Sequence, residues 1–300
     1  MKRCLIWGTG KVFHDYINLV KYHELKGSIK VVGVTTNLST FSEYEGYPFV
    51  SKSQILKTEF DFIIAMGKGK VLRSIYEEMQ AFGIPKSKLF TYKALVHSEF
   101  YPDKYESVKK NTPTIFSNNC WGGMTYNDLG LEFESPLINL AIGDRDYIKF
   151  LSNPQFYLEQ ELVQVDTGFE NVHEFEYPIC QCGDIKINFI HYENFRNAQN
   201  SWNRRKKRIN WDNLLVEMYT ENKEIADSFS KLSYKKKICF VSFKTEKEGL
   251  EYVELLDNPE MRSMPFTLVV NGMAQGLYPY YDALELVQTG KIKKVMRLNR

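Results

Sequence analysis

Apolar runs of strand length, several closed by glycine or asparagine and followed by a helical stripe, recur along this chain and leave few options for its fold. Cys4–Trp7 stops at Gly8-Thr9-Gly10, after which Val12, Phe13, Tyr16, Ile17 and Val20 share one helical face. Lys30–Val34 reads as the next strand and Phe60–Met66 as a third, ended by Gly67-Lys68-Gly69. Val71, Leu72, Ile75, Met79 and Phe82 then mark a second amphipathic helix, closed by Gly83 and Pro85. Strands that alternate with helices make βαβ units, and therefore a parallel sheet with right-handed crossovers. The expected class is α/β, with a Rossmann-like nucleotide-binding domain over residues 1–95.

Between Thr91 and Thr112 the chain turns polar and rich in Tyr and Lys, which reads as a linker or a loosely attached helix. A second α/β domain is expected over residues 112–300. Its predicted strands are Thr114–Ser117, Leu137–Ile142, Ile185–His191, Leu214–Tyr219, Ile238–Phe243 and Phe266–Val270. Its predicted helices are Tyr147–Leu162, Asn194–Arg208, Glu221–Leu232, Glu246–Leu256 and Tyr280–Thr289. Two domains also suit 300 residues of ordinary globular composition, 43% hydrophobic and 25% charged.

A net charge of +2 supplies no field for nucleic acid, so any basic site must be local. The opening MKRCLIWGTGKVF enters a strand at once, without an apolar run of signal-peptide or membrane-helix length. Five scattered cysteines, an odd number, suit a reducing compartment better than a disulfide framework. The expectation is a cytoplasmic protein with no membrane span, its oligomeric state left open.

Gly8, Gly10 and Lys11 lie where a phosphate meets the free N–H groups of a helix N-terminus. Phe13 occupies the third glycine position of the dinucleotide fingerprint, and Thr35-Thr36-Asn37 offers no acid to hold a ribose hydroxyl, so NAD is not expected. Tyr22 and Lys26 have the spacing of a dehydrogenase proton relay but fall in or just after the first helix, away from a central strand end. The stretches CLIWGTGKVFHDYI, VVGVTTN, EGYPFVS, FDFIIAMG and IPKSKLF resemble the Rossmann-like domains appended to bacterial sugar-modifying and surface-polysaccharide proteins. That resemblance implies a glycine turn facing a nucleotide-sugar; the alternative is a degenerate domain that only scaffolds the second half.

Two blocks in the second half carry candidate chemistry. In Asn118-Asn119-Cys120-Trp121-Gly122-Gly123 the amides can donate to phosphate or hydroxyl oxygens, the indole can stack on a sugar or base, and the glycines permit close backbone approach. Cys120 is a nucleophile only if a base or positive field activates it, and His191 is the candidate base. The plainer alternative is a turn capped by the asparagines around a small buried thiol. The second block, between Trp202 and Trp211, contains Arg204, Arg205, Lys206, Lys207 and Arg208. Arg204 and Arg208 are four apart and share a helix face, fit with Arg205 to hold a donor's phosphates, with Trp202 and Trp211 bordering that site; otherwise the run is a solvated face.

Asp144-Arg145-Asp146 after an apolar strand offers either a metal-holding pair for a nucleotide diphosphate or, preferred here, a cap for the following helix. Cys180 and Cys182, with His173 and His191, lack a second close pair and are read as structural, so no tightly bound metal is expected.

The segments FSNNCWGGMTYNDLGLEFESPLINL, DYIKFL and HYENFRNAQNSWNRRKKRINWDNLLVEM resemble a bacterial family labelled exopolysaccharide biosynthesis protein, over about Thr112 to Phe243. The resemblance implies a place in surface-glycan assembly. The functional expectation is a transferase that uses a nucleotide-sugar or other phosphorylated small-molecule donor. The alternative is a non-catalytic sugar-nucleotide-binding or assembly protein of the same pathway.

Overall fold

The computed structural model describes residues 1–37, 42–96, 100–170, 174–254, 263–275 and 280–294. The chain forms two compact units, one built from Met1–Asn111 with Asp128–Gly130 and Lys294, the other from Thr112–Asn127 and Leu131–Lys293. Both are α/β.

In the first unit β1 (Lys2–Trp7), α1 (Lys11–Leu25) and β2 (Ile29–Thr35) open the chain. A small antiparallel pair, β3 (Glu43–Tyr44) and β4 (Tyr47–Pro48), is followed by β5 (Phe62–Ala65), α2 (Gly69–Ala81) and β6 (Leu89–Thr91). The parallel sheet runs β2-β1-β5-β6. Phe49 bridges Val34 in parallel on the outer edge of β2, so a vestigial strand extends the order as in the first half of a doubly wound sheet. Cys4, Leu5, Ile6 and Trp7 are fully buried, as a central parallel strand covered on both faces requires. Helix α1 buries Phe13, Tyr16, Leu19, Val20 and His23.

The polar stretch before residue 112 is more than a linker. It contains α3 (Pro102–Lys110), with Pro102 in its first turn, Asp103 beside it, and Lys109 and Lys110 at its end, which complement the helix dipole. Tyr105 packs its ring 5.0 Å from Phe90 and 5.9 Å from Phe100, and it donates through its hydroxyl to the Leu129 carbonyl at 2.7 Å. Phe100 and Tyr105, two aromatic side chains in a polar segment, anchor it to β6 through Phe90.

In the second unit four parallel strands form the order β14-β13-β12-β7: β7 is Thr114–Ser117, β12 Leu214–Thr220, β13 Lys236–Val241 and β14 Leu250–Tyr252. Helix α4 (Trp121–Asp128) follows β7, and α8 (Lys223–Ser230) crosses from β12 to β13. A second sheet, in the order β8-β11-β10-β9, is antiparallel: β8 is Ala141–Ile142, β9 Leu162–Glu170, β10 Phe175–Cys182 and β11 Ile185–Asn188. Ile142 donates its backbone N–H to the Asn118 carbonyl at 3.0 Å and so brings β8 beside the carboxyl end of β7. Phe116, Tyr147, Phe150, Val216 and Met218 share one core with Ile185, Ile187 and Trp202.

Four expectations change in this unit. The strand expected over Leu137–Ile142 shortens to β8 (Ala141–Ile142), after Asn139 at φ 62°. The helix predicted from Tyr147 divides into α5 (Asp144–Ser152) and α6 (Pro154–Glu159), because Pro154 cannot continue a hydrogen-bonded turn and Asn153 caps the new one through Phe156 N–H. Residues 250–252 are strand, paired with β13 beyond Gly249 (φ 79°), where a helix was expected; the part of that helix beyond Glu254 lies outside the described residues. Phe266–Ala274 is helix α9, where a strand was expected. Its Phe266, Val269, Val270 and Met273 are buried at helical spacing, which an apolar run read over only five residues conceals. The remaining helices are α7 (Phe195–Arg205) and α10 (Ala283–Thr289). Among the described residues no helix is long and apolar enough to cross a membrane.

Candidate functional site

Parallel sheets present their ligands' crevice outside the carboxyl ends of the strands, and in the second unit β7 ends there at Ser117, followed by Asn118, Asn119 and Cys120. The Cys120 carbonyl accepts the first helical bond of α4, from Met124 N–H at 3.0 Å, so Cys120 is the residue that caps this helix. Its Sγ lies 3.3 Å from His191 Nε2, and His191 stands exposed in the turn after β11. Cys4, Cys180, Cys182 and Cys239 are fully buried, whereas Cys120 is partly accessible. Burial nevertheless pushes the Cys120 thiol up to about 11.

Behind this pair lies a buried polar cluster. Glu217, in the middle of β12, is fully buried. Ser117 Oγ donates to Glu217 Oε2 at 2.6 Å, and Asn119 Nδ2 donates to Asn118 Oδ1 at 2.9 Å and more weakly, at 3.4 Å, to Glu217 Oε2. Burial raises the Glu217 carboxyl to about 8, against the opposing pull of those two donors. Asn119 Oδ1 accepts from Trp121 N–H at 2.6 Å and Ser117 Oγ from Gly122 N–H at 3.3 Å, which satisfies two first-turn donors of α4. Asp144, at the start of α5, accepts from Thr220 Oγ1 at 2.6 Å and from Asn118 Nδ2 at 3.3 Å; burial raises its carboxyl and the Thr220 bond opposes that. Burial also raises the Tyr219 phenol, opposed by a bond to Thr267 and reinforced by the negative charge of Asp144, Glu217 and Cys120 nearby.

Cys120, His191, Asn118 and Asn119 therefore converge, and the other expected residues serve differently. Trp121 is fully buried and donates its indole N–H to Tyr281 Oη at 2.8 Å, so it is a core residue with no face left for a sugar. At Gly122 a Cβ would stand 3.2 Å from both Ile115 Cγ2 and Ser117 Cβ; this glycine lets α4 lie close on β7 rather than admitting a ligand. Gly123 faces Asn139 and Ile138.

The segment that follows the basic block is tied to the opposite end of β7. Asn210 N–H donates to Thr114 Oγ1 at 2.7 Å, which ties the end of that segment to the amino end of β7, while Asn118 follows its carboxyl end. At about 3.3 Å per residue the two points are roughly 13 Å apart along the strand. Arg205 is buried, donates to Tyr192 Oη at 2.6 Å and lies 5.3 Å over the Phe133 ring. Trp202 is core; Arg204 and Arg208 are exposed, and Arg208 reaches toward the Phe133 carbonyl at 3.5 Å. An arginine needed to complete the packing of one helix looks, in sequence, like one member of a cationic patch.

Gly143, not an aspartate, caps α5, and the two carboxylates diverge: Asp144 enters the polar cluster while Asp146 accepts from Lys186 N–H at 3.0 Å. Cys180 and Cys182 point into the core, and Cys182 Sγ donates to the Tyr157 carbonyl at 3.1 Å. His173 lies outside the described residues, and among those described no three His, Cys, Asp or Glu side chains group as a metal site.

In the first unit Gly8 has φ +116° and donates its N–H to the Thr35 carbonyl at 2.8 Å, and a Cβ there would stand 2.8 Å from the Met66 carbonyl oxygen. Gly10 caps α1 with no side chain and Lys11 is exposed in the first turn, which contains no acid. Tyr44 Oη donates to the Thr9 carbonyl at 3.0 Å. Asn37, where an acid would hold a ribose, accepts from Trp7 Nε1 at 3.1 Å and from Lys52, whose ammonium lies 3.7 Å over the Trp7 ring and 2.6 Å from Glu78.

Glu217, Ser117, Thr220 and Tyr219 were missed by sequence reasoning. Glu217 had one signal: a lone carboxylate inside the apolar strand LLVEMY, which must be buried and therefore partnered.

The first unit matches the family model described as C2185-like, N-terminal, over residues 1–90. An uncharacterized protein of Haemophilus influenzae is 34% identical over 131 residues, which make up 42% of this chain and 60% of that protein. The chain thus spans less than two thirds of that relative's length. A family model described as Domain of unknown function (DUF1919) matches residues 91–256, more than half of the 300, and so takes in β7, Cys120, Asp144, His191 and Glu217. The chain belongs to the DUF1919 family.

Proposed function

We propose that the second unit is a transferase of surface-polysaccharide assembly that carries an acyl group on Cys120, with His191 as its base. The contact of 3.3 Å between Cys120 Sγ and His191 Nε2 at the carboxyl end of a parallel sheet carries this reading. A thiol held near 11 is almost wholly protonated at neutral pH, so its nucleophilicity depends on a base within reach. His191 takes the thiol proton as sulfur attacks the carbonyl carbon of an activated acyl donor. A thioester bond forms, the bond to the leaving group breaks, and the leaving group departs with the proton from His191. An acceptor sugar hydroxyl then attacks the thioester carbon and yields its proton, and the thiol is restored. The donor in this reading is the nucleotide-bearing or otherwise phosphorylated small molecule expected from sequence. The place in polysaccharide assembly is supported by the resemblance of the NNCWGG and WNRRKKRINWDN blocks.

The test is the rate of Cys120 alkylation by iodoacetamide, read by peptide mass spectrometry, since the other four cysteines are fully buried. His191→Asn should slow it roughly tenfold or more at about pH 7, and a wild-type rate in that variant would sink the reading. The raised thiol favours a second reading, a non-catalytic sugar-nucleotide-binding protein with an inert Cys120. Unaltered glycan output from a Cys120→Ala strain would support it.

A further inference from the structure

The Cys120–His191 contact needs a rigid α4 N-terminus, because Cys120 caps that helix by its carbonyl. Two groups fix the first turn: Asn119 Oδ1 on Trp121 N–H and Ser117 Oγ on Gly122 N–H. Both groups also contact the fully buried carboxyl of Glu217. Glu217 sits on a neighbouring strand, paired with Ser117 in the parallel register, so it reaches the turn from the sheet beneath rather than from the helix. A charged residue in a buried strand is costly to keep and is tolerated only where its hydrogen bonds are made.

We propose that Glu217 is a positioning residue, whose carboxyl holds Ser117 and Asn119 so that they clamp the first turn of α4 and aim Cys120 at His191. This rests on the Cys–His reading above. In its neutral form the carboxyl donates to Ser117 Oγ, the hydroxyl turns its proton to the Asn119 carbonyl 3.2 Å away, and the other carboxyl oxygen accepts from Asn119 Nδ2. Glutamine reproduces that pattern, with its amide donating to Ser117 and its oxygen accepting from Asn119. Leucine has similar bulk and makes neither bond.

The experiment measures iodoacetamide alkylation of Cys120 at about pH 7 in the full chain. Glu217→Gln should stay within roughly threefold of wild type, whereas Glu217→Leu should be slowed roughly tenfold. The double variant Glu217→Leu with His191→Asn should be no slower than His191→Asn alone, because Glu217 acts only through the pair. Circular dichroism and a thermal melt establish that each variant is folded. Where Glu217→Leu does not fold, Ser117→Ala removes the hydroxyl between the carboxyl and Gly122 and should give the same tenfold loss. A slow His191→Asn beside a folded Glu217→Leu, or Ser117→Ala, of wild-type rate overturns the positioning role and leaves the Cys–His reading standing. Losses that multiply in the double variant also overturn it. A wild-type rate in His191→Asn overturns the Cys–His reading itself and this inference with it.

Discussion

Glutamate 217 makes the stability of the second unit depend on pH in a direction opposite to that of an ordinary carboxylate. Burial lifts its carboxyl from the usual 4.5 to about 8, so between those values the folded chain holds a proton that the unfolded chain has lost. The stabilising contribution is complete below the unfolded value and fades as pH rises through the folded one. Each pH unit in that interval removes about 1.4 kcal/mol. Glu217→Gln cannot titrate and keeps the bonding pattern of the neutral acid. The stability difference between the Glu217→Gln variant and wild type should therefore move in the variant's favour by on the order of 4 kcal/mol from about pH 5 to about pH 8. Urea titrations followed by tryptophan fluorescence suit the measurement, since Trp121, Trp202 and Trp211 all lie in this unit. Parallel stability curves for the two proteins would show that Glu217 is ionised in the folded state and would refute the reasoning.

Arg205→Ala should destabilise the second unit by about 2–4 kcal/mol in urea, since it strips a buried guanidinium from Tyr192 and Phe133, while exposed Arg204→Ala should stay within about 0.5 kcal/mol. Trp121→Phe leaves the Tyr281 hydroxyl without its indole donor and opens space in the core; a loss of about 2–4 kcal/mol is expected by the same titration. Gly8→Ala meets both a left-handed φ and the Met66 carbonyl, and should cost the first unit at least about 2 kcal/mol, read by the Trp7 signal in a variant lacking the other indoles.

Local order was legible in the sequence because its signals are local. The alternation of apolar runs and helical stripes set the α/β class, and glycine at position 8 marked a turn that no side chain could occupy. Cys120 and His191 were recognisable as nucleophile and base by residue type alone. Their meeting was not, because 71 residues separate them and the contact depends on β8 pairing beside β7, which brings the turn after β11 to the end of the parallel sheet. Tertiary packing also decided which polar residues serve the site. It took Trp121, Trp202 and Arg205 into the core, where their apolar surface is removed from water, and it tied Asn210, just after the basic block, to the amino end of β7. Only there, with β12 laid against β7, did a single glutamate in an apolar strand acquire the serine and asparagine that make its burial tolerable.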